Sequence, residues 1–318
     1  MRIAIVGAGG VGGLLAGLLA RSGAEVVVVA RGGQLEAVRE RGIRVDSPMG
    51  TFTVRVAAAA EDPAALGRAD AVLLAVKTWQ VAEVAPRLAP LLSPDGVVVP
   101  LQNGVEAADQ LAAALGPEAV AGGVIRVLAW VDGPGAIRHV GLPPDVIMGE
   151  RGARAADRSP RLEALAAVLA SAGVEAKVSP DVERDVWEKF LVIEPWSAIS
   201  TASRAPIGVL RALPETRALQ QAALEEVAAV ARARGVRLPT DSVARAEAFL
   251  DGVAPEGTTS MQRDVGSGKP SELDDQIGTV TRLGRLAGVP TPVHDALYGV
   301  LLPQEAAARG RLRKFPRT

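Results

Sequence analysis

The sequence contains no cysteine, and Asn103 is its only asparagine. The absence of cysteine excludes disulfides, thiolate metal sites and a cysteine nucleophile. The two histidines, His139 and His294, lack partners at metal-ligand or catalytic-triad spacing, so we expect both to be structural and expect no metal site. The chain also has only five lysines against thirty arginines. An asparagine or lysine that persists against this bias is a stronger functional candidate than usual.

A strong charge of either sign is also missing. The 35 basic residues nearly balance the 36 acidic ones. A net charge of −1 gives no positive electrostatic potential that would attract nucleic acid or an anionic membrane. No apolar run reaches the ~18 residues needed to cross a bilayer, and no secretory signal pattern precedes the strand-like MRIAIVG. We expect a cytoplasmic protein that acts on a small molecule and has no nucleic-acid or membrane partner. The sequence leaves its oligomeric state open, a homodimer included.

Strand-like and helix-like segments alternate up to residue 179, and a chain of 318 residues is long enough for two domains. Continuous Val- and Leu-rich runs between helices indicate a mainly parallel sheet covered on both faces. The predicted strands of this sheet are Arg2–Val6, Glu25–Ala30, Val54–Ala58, Ala71–Val76 and Gly96–Leu101. Later edge or antiparallel strands are predicted at Val120–Trp130, Ala136–Val140 and Asp145–Gly149, and a last short strand at Glu175–Val178.

Helix signals alone follow the Ser-Pro helix start at residues 179–180. The predicted helices are Val182–Ser203, Glu215–Arg234, Thr240–Leu250 and Leu273–Ala287. The sequence therefore predicts an α/β protein with an N-terminal Rossmann domain over residues 1–179 and an all-helical domain over residues 180–318.

A glycine-rich turn lies between the first predicted strand and the first predicted helix. Its residues are Gly7, Ala8, Gly9, Gly10, Val11 and Gly12, in the pattern G-x-G-x-x-G. In a dinucleotide site the first glycine permits the tight turn, the second lets the backbone approach the pyrophosphate, and the third lets the helix pack on the strand. The helix N-terminus then faces the pyrophosphate with free N–H groups. We predict that this segment binds a dinucleotide.

The end of the second strand indicates which dinucleotide is bound. NAD enzymes usually place an acidic residue there to hold the ribose 2′-hydroxyl. Here the strand ends in Arg31, whose guanidinium suits a 2′-phosphate. A solvated loop arginine is the alternative interpretation. We predict NADP as the cofactor.

Two polar residues follow later strands of the predicted sheet: Lys77 follows AVLLAV, and Asn103 follows GVVVPLQ. Ligands of such sheets bind outside the carboxyl ends of the strands. Asn103-Gly104 is also compatible with a simple turn. We nevertheless predict that Lys77 and Asn103 both point into the ligand cleft.

These motifs, taken in order, resemble the ketopantoate reductase family, the 2-dehydropantoate 2-reductases. The resemblance is carried by GAGGVG, AVK, QNG, WEKF with Lys189, and SMQRDVGSGKPSELD with Ser260 and Glu272, and it extends to about Pro292. It implies NADPH-dependent reduction of a 2-keto acid to a 2-hydroxy acid, ketopantoate to pantoate in pantothenate biosynthesis.

The resemblance also implies roles for individual residues. Lys189 matches the catalytic lysine, Glu272 the acid that contacts the substrate hydroxyl, and Ser260 the serine that binds the substrate carboxylate. Lys77 and Asn103 match the strand-end pair beside the nicotinamide and the substrate, which implies that both contact the cofactor and that Asn103 also contacts the substrate. Chemistry agrees, because an oxyanion formed by hydride transfer needs a nearby proton donor. The residues alone leave structural alternatives: a helix ion pair of Lys189 with Asp185, a first-turn acid at Glu272, and a helix N-cap at Ser260.

The chain departs from the family where substrate amides are expected. Ile193 and Ser197 stand four and eight residues after Lys189, on one helix face, and Gly257 stands three before Ser260, where the family has asparagines. Ile193 and Ser197 therefore remain predicted substrate contacts of altered chemistry. Three alternatives to ketopantoate reduction stay open: a relative that reduces a more apolar ketone, an opine-type or glycerol-phosphate-type dehydrogenase of similar architecture, and a non-catalytic NADP(H)-binding sensor.

Overall fold

The computed structural model of the protein describes residues 1–155 and 158–312. The chain divides into two compact units. The first comprises Met1–Gln102 and Glu106–Asp185, and the second comprises Asn103–Val105 and the chain from Val186 onward. The division at 185/186 falls six residues after the predicted boundary at 179/180. Residues 156–157 and 313–318 of the predicted domains lie outside the described part of the chain.

The strands of the first unit form two five-stranded sheets. In chain order they are β1 (Arg2–Val6), β2 (Glu25–Val29), β3 (Ile43–Asp46), β4 (Phe52–Val54), β5 (Ala58–Ala60), β6 (Ala69–Leu74), β7 (Leu92–Pro100), β8 (Gly122–Val131), β9 (Ala136–Gly149) and β10 (Glu175–Val178). The first sheet has the order β5-β2-β1-β6-β7 and is parallel throughout. Its central strand β1 is apolar from Ile3 to Val6 and buried there, as expected for a strand covered on both faces.

The second sheet has the order β10-β9-β3-β4, with β8 paired to β9. Residues 136–149, predicted as two short strands, form the single strand β9. The predicted strand Val54–Ala58 is wrong. Val54 pairs with Ile43 in the second sheet, whereas Ala58 pairs with Val27 in the first, so the chain crosses between sheets where the pattern suggested continuous pairing.

The helices of the first unit are α1 (Gly10–Arg21), α2 (Gly32–Arg41), α3 (Val81–Val84), α4 (Ala107–Leu115) and α5 (Pro160–Ser171), with short 3₁₀ helices at Pro63–Leu66, Thr78–Gln80, Ala85–Leu91, Pro117–Ala119 and Gly152–Arg154. Helix α1 packs against both sheets, and one apolar core joins all three elements. Glycines permit this contact: a Cβ added at Gly13 would lie 2.6 Å from Ile137 Cδ1 of β9, and one at Gly17 would lie 2.6 Å from Val45 Cγ2 of β3.

Within the described residues, no strand follows β10. The remaining helices are α6 (Val182–Ser203), α7 (Ile207–Ala212), α8 (Pro214–Ala233), α9 (Ser242–Gly252), α10 (Ser260–Gly266), α11 (Ile277–Ala287) and α12 (Pro292–Ala308). Helix α6 has the predicted bounds. Helix α11 begins four residues after the predicted Leu273, because residues 272–276 form a bend and turn. The predicted architecture, a parallel-sheet Rossmann domain followed by a helical domain, is confirmed.

A buried imidazole links three helices of the second unit. His294 of α12 bonds through Nε2 to Glu194 of α6 at 2.6 Å and through Nδ1 to Glu226 of α8 at 2.5 Å. Burial alone would lower the pKa of His294, but the two carboxylates raise it to about 9. Glu226 also accepts the backbone N–H groups of Val293 and His294, which caps the start of α12. The charged His294 side chain therefore ties α6 to α8 and α12.

No helix among residues 1–155 and 158–312 combines the length and the apolar character required to cross a membrane.

Candidate active site

The carboxyl ends of four strands of the first sheet line up at one edge. Gly7 N donates to Val29 O at 2.9 Å, Ala75 N to Val6 O at 2.8 Å, and Leu101 N to Leu74 O at 2.9 Å. The turn after β1 and the residues after β2, β6 and β7 therefore leave the same edge of this sheet. This edge is where parallel α/β sheets bind their ligands.

The glycine turn has the geometry that its pattern predicts. Gly7 has φ +99°, a conformation that favours glycine, and a Cβ there would lie 2.8 Å from Val76 N. A Cβ at Gly12 would lie 1.9 Å from Gly7 O, so α1 lies too close to the turn for any side chain at position 12. A Cβ at Gly9 would meet nothing within 4 Å. The backbone at Gly9 is thus open for a close approach, whereas Gly7 and Gly12 are needed by the protein itself.

The same edge favours an anion. Neither α1 nor α2 has an acidic residue in its first turn, so no carboxylate opposes the positive ends of these helices. Arg31 follows β2, occupies the N-cap position of α2 and is exposed. Lys77 is half-buried after β6, and its ammonium lies 5.7 Å from the centroid of the Trp79 ring. A phosphate-bearing cofactor fits this surface.

Two glutamines support this edge, and neither is identified by the sequence analysis. Gln102 Nε2 donates to Leu74 O at 2.9 Å and to Val76 O at 3.1 Å, which holds the end of β6 immediately before Lys77. Gln34 of α2 donates to Ala8 O at 2.8 Å and accepts from Gly135 N at 2.9 Å. Gln102 lies within the QNG motif, but glutamine also occurs elsewhere in the chain. The composition therefore singles out Asn103, the only asparagine, and not Gln102. Nothing in the sequence near Gln34 marks its contacts.

In the second unit, Lys189 and Asn103 are brought together. The Lys189 ammonium donates a hydrogen bond of 2.8 Å to Asn103 Oδ1, across 86 residues of sequence. Both side chains are half-buried, and a hydrogen bond to a charged group contributes about 1.5–3 kcal/mol. The amide oxygen can accept but cannot donate, so it aligns the ammonium without removing its proton.

Packing brings the segments that bear the other predicted residues into the same unit. Beside Asn103, a Cβ added at Gly104 would lie 3.0 Å from Asp275 O, so this loop contacts the turn that follows Glu272. Glu272 is 6% exposed, and its Oε2 accepts from Gln276 Nε2 at 3.4 Å. A small apolar core joins immediate neighbours of Ser197, Ser260 and Glu272; it consists of Ala198, Met261, Leu273, Ile277 and Leu301.

The start of α10 tests the interpretation of Ser260 as a helix N-cap. Thr259 is the N-cap of this helix, and its hydroxyl accepts from Gln262 N at 3.2 Å. The N-cap interpretation of Ser260 is therefore wrong, because Ser260 is the first residue of the helix itself. At Gly257 a Cβ would lie 2.8 Å from Val253 Cγ1 and 2.9 Å from Ala254 O. An asparagine at position 257 would not fit this turn.

The two residues that follow Lys189 on the same face of α6 are Ile193 and Ser197. Ile193, one turn after Lys189, is half-buried and packs against the main apolar core of the second unit. Ser197, a further turn along, is 1% exposed.

Among residues 1–155 and 158–312, no cluster of three acidic or histidine side chains has the geometry to hold a metal ion.

Comparison with known proteins agrees with this architecture and these motifs. The model of the family "Ketopantoate reductase PanE/ApbA" matches residues 3–152, and the model of its C-terminal part matches residues 181–305. The chain belongs to the ketopantoate reductase family.

Members of the ketopantoate reductase family are similar to this chain over nearly its whole length. The 2-dehydropantoate 2-reductase of Mesorhizobium japonicum is 34% identical over 98% of this chain and 99% of its own. The crystal structure of a PanE/ApbA family ketopantoate reductase from Ralstonia eutropha is 33% identical, with a TM-score of 0.88 over 97% of this chain and 100% of its own. D-mandelate dehydrogenase with NADH and anilino(oxo)acetate, at 22% identity and a TM-score of 0.87 over 97% and 99% of the two chains, shares the fold.

The different surroundings of Gly12 and Gly9 lead to a testable contrast. Gly12→Ala should lower the free energy of unfolding by about 3 kcal/mol or more, because the added methyl overlaps Gly7 O. Gly9→Ala should cost less than about 1 kcal/mol, because the methyl enters open space at a helix N-cap. Urea unfolding measures both changes. Equal losses of stability in the two variants would contradict this description of the turn.

Proposed function

We propose that this member of the family is an NADPH-dependent reductase that converts a 2-keto acid to its 2-hydroxy acid. The observation that carries the proposal is the hydrogen bond from Lys189 to Asn103, which presents a charged proton donor in the unit that also buries Glu272. The names of the relatives supply the reaction class, since 2-dehydropantoate 2-reductases reduce a 2-keto acid.

Several features of the first unit support NADP as the cofactor. The open backbone at Gly9 and the start of α1 suit the pyrophosphate. Arg31 stands where a 2′-phosphate would be held, and α2 begins with Gly32 and Gly33 in place of acidic side chains. We assign Gly7 to Gly12, Arg31, Lys77 and Asn103 to cofactor binding. When bound, the nicotinamide ring supplies a hydride to the substrate carbonyl carbon.

The residues of the second unit then handle the charge and the proton. As the carbonyl carbon gains a hydride, its oxygen becomes an alkoxide, which an adjacent ammonium stabilises and protonates. We assign this role to Lys189, with Asn103 holding the ammonium in place. Glu272 would accept a hydrogen bond from the new hydroxyl, and the hydroxyl of Ser260 would bind the substrate carboxylate. Exclusion of water around the buried Glu272 would strengthen these interactions.

The side chains near Lys189 on α6 favour a substrate with an apolar branch. Ile193 presents a hydrocarbon surface, and a buried polar group left unpaired against it would cost about 1–3 kcal/mol. We therefore propose that Ile193 and Ser197 contact a 2-keto acid that is less polar than ketopantoate. Steady-state assays with ketopantoate and with branched 2-keto acids lacking its hydroxyl decide this point. Highest kcat/KM on ketopantoate would exclude the less polar substrate and place the enzyme in pantothenate biosynthesis.

Removal of the proposed proton donor should stop turnover and leave cofactor binding intact. We expect Lys189→Ala to lower kcat by about 100-fold or more, the range for loss of a general acid, while the Kd for NADPH changes little. Oxidation of NADPH followed by absorbance, together with a fluorescence titration, measures the two quantities. Lys177→Ala, at an exposed lysine of β10, is the matched control and should retain wild-type kcat. An undiminished kcat in the Lys189 variant would remove this residue from the mechanism.

The cofactor assignment predicts a selective effect at Arg31. Loss of a charge-assisted contact of about 1.5–3 kcal/mol corresponds to a rise of about 10- to 100-fold in the Kd for NADPH. The Kd for NADH should stay within about threefold in Arg31→Ala, because NADH has no 2′-phosphate. Arg44→Ala, at an exposed arginine of β3, controls for general charge effects. An unaltered ratio of the two dissociation constants would refute the role of Arg31.

A further inference from the structure

The residue before Glu272 is held by an unusually complete set of contacts. Ser271 is 0% exposed. Its backbone N–H donates to both carboxylate oxygens of Glu305, at 3.1 and 3.0 Å, and its hydroxyl donates to Glu305 Oε2 at 2.6 Å. Its carbonyl oxygen accepts from Arg309 Nη2 at 2.8 Å. The N–H, the hydroxyl and the carbonyl of Ser271 are thus all bonded to two residues at the end of α12.

Glu305 and Arg309 also bond to each other. They stand one helical turn apart, and Arg309 Nε lies 2.6 Å from Glu305 Oε1. Their side chains are 2% and 16% exposed. A carboxylate buried this deeply is tolerated only with a cation and several donors around it, and the guanidinium and Ser271 supply them. We name Glu305 and Arg309 the α12 clamp.

The α12 clamp determines where Glu272 can lie. The peptide unit between Ser271 and Glu272 is planar, so holding the Ser271 carbonyl also sets the direction in which Glu272 leaves. On the other side, the carbonyl of Glu272 accepts from Gln276 N at 2.9 Å. Leu301, one turn before Glu305 on α12, shares the small apolar core with Leu273. Helix α12 therefore contacts the chain on both sides of Glu272.

We propose that Glu305 and Arg309 are positioning residues for the reaction, acting through Ser271 to fix the carboxylate of Glu272. The proposal rests on the proposed function, in which Glu272 accepts from the substrate hydroxyl. It assigns a task to a charged pair whose members stand 34 and 38 residues after Ser271 in the sequence. A clamp that merely fastened α12 to the fold would lower activity only in proportion to lost folded protein.

A double-mutant cycle between Glu305→Gln and Glu272→Gln distinguishes these possibilities. The readouts are kcat and KM for the 2-keto acid at saturating NADPH, with the folded fraction measured by circular dichroism. We expect Glu305→Gln alone to lower kcat/KM by about 10- to 100-fold, since a small misplacement of a reacting group costs about this much. In the E272Q background the same change should alter kcat/KM less than about twofold, because the group it positions is already gone.

Glu150→Gln is the matched control for this cycle. Glu150 in the first unit is also a buried carboxylate, 3% exposed, held by a serine hydroxyl at 2.6 Å (Ser159) and by a guanidinium at 2.9 Å (Arg161). Its substitution should change kcat/KM by the same factor with and without Glu272. If Glu305→Gln does not fold, Ser271→Ala replaces it in the cycle, because it removes only the hydroxyl bond of the α12 clamp.

The outcomes separate this proposal from the proposed function. Equal losses in kcat/KM for Glu305→Gln in the wild-type and E272Q backgrounds would overturn the α12 clamp as a positioning device, while wild-type turnover would still support the reductase. Full activity of Glu272→Gln would also overturn it. A wild-type protein that binds NADPH and reduces no 2-keto acid would overturn the proposed function first, and the positioning role with it.

Discussion

The candidate site depends on one hydrogen bond, that from the Lys189 ammonium to Asn103 Oδ1. It joins the first long helix of the second unit to a three-residue segment whose neighbours in sequence belong to the first. Because the amide oxygen only accepts, the ammonium keeps its proton and gains a fixed direction. A flexible lysine side chain is thereby held in one orientation. The chain retains one asparagine in 318 residues, and it stands at this bond.

The two units carry different structural constraints. In the first, close contact between backbone segments is the main constraint. Gly7 and Gly12 are required because the turn, the chain after β6 and α1 leave no room for a methyl group, whereas a methyl group at Gly9 would meet nothing within 4 Å. In the second, buried charge dominates. Glu226, His294 and Glu194 link three helices, and Glu305 and Arg309 enclose Ser271 beside Glu272. Ile193, one turn after Lys189 on α6, adds an apolar side chain that packs against the core of this unit.

Short sequence patterns predict much of the fold and part of the candidate site. The bounds of α6 and the glycine turn follow from short-range signals, namely a helix start and a strand–turn–helix pattern. The features that the sequence does not predict depend on contacts between residues far apart in the chain. The crossing between Val54 and Ala58 depends on which sheet each strand joins, and the grouping of Asn103 with the helical unit depends on Lys189, 86 residues later. The contacts of Gln34 and Glu305 involve buried partners that no sequence spacing reveals.

In the proposed function, this member of the ketopantoate reductase family delivers a hydride from NADPH to the carbonyl carbon of a 2-keto acid. The most direct measurement is the fate of deuterium carried at both hydrogen positions of C4 of the reduced nicotinamide ring, because an enzyme transfers only one of the two. Incubation with branched 2-keto acids, followed by mass spectrometry, should give a 2-hydroxy acid with one deuterium at C2. Oxidation of the labelled cofactor without deuterium at C2 of any product, by a protein that binds NADPH, would contradict the account.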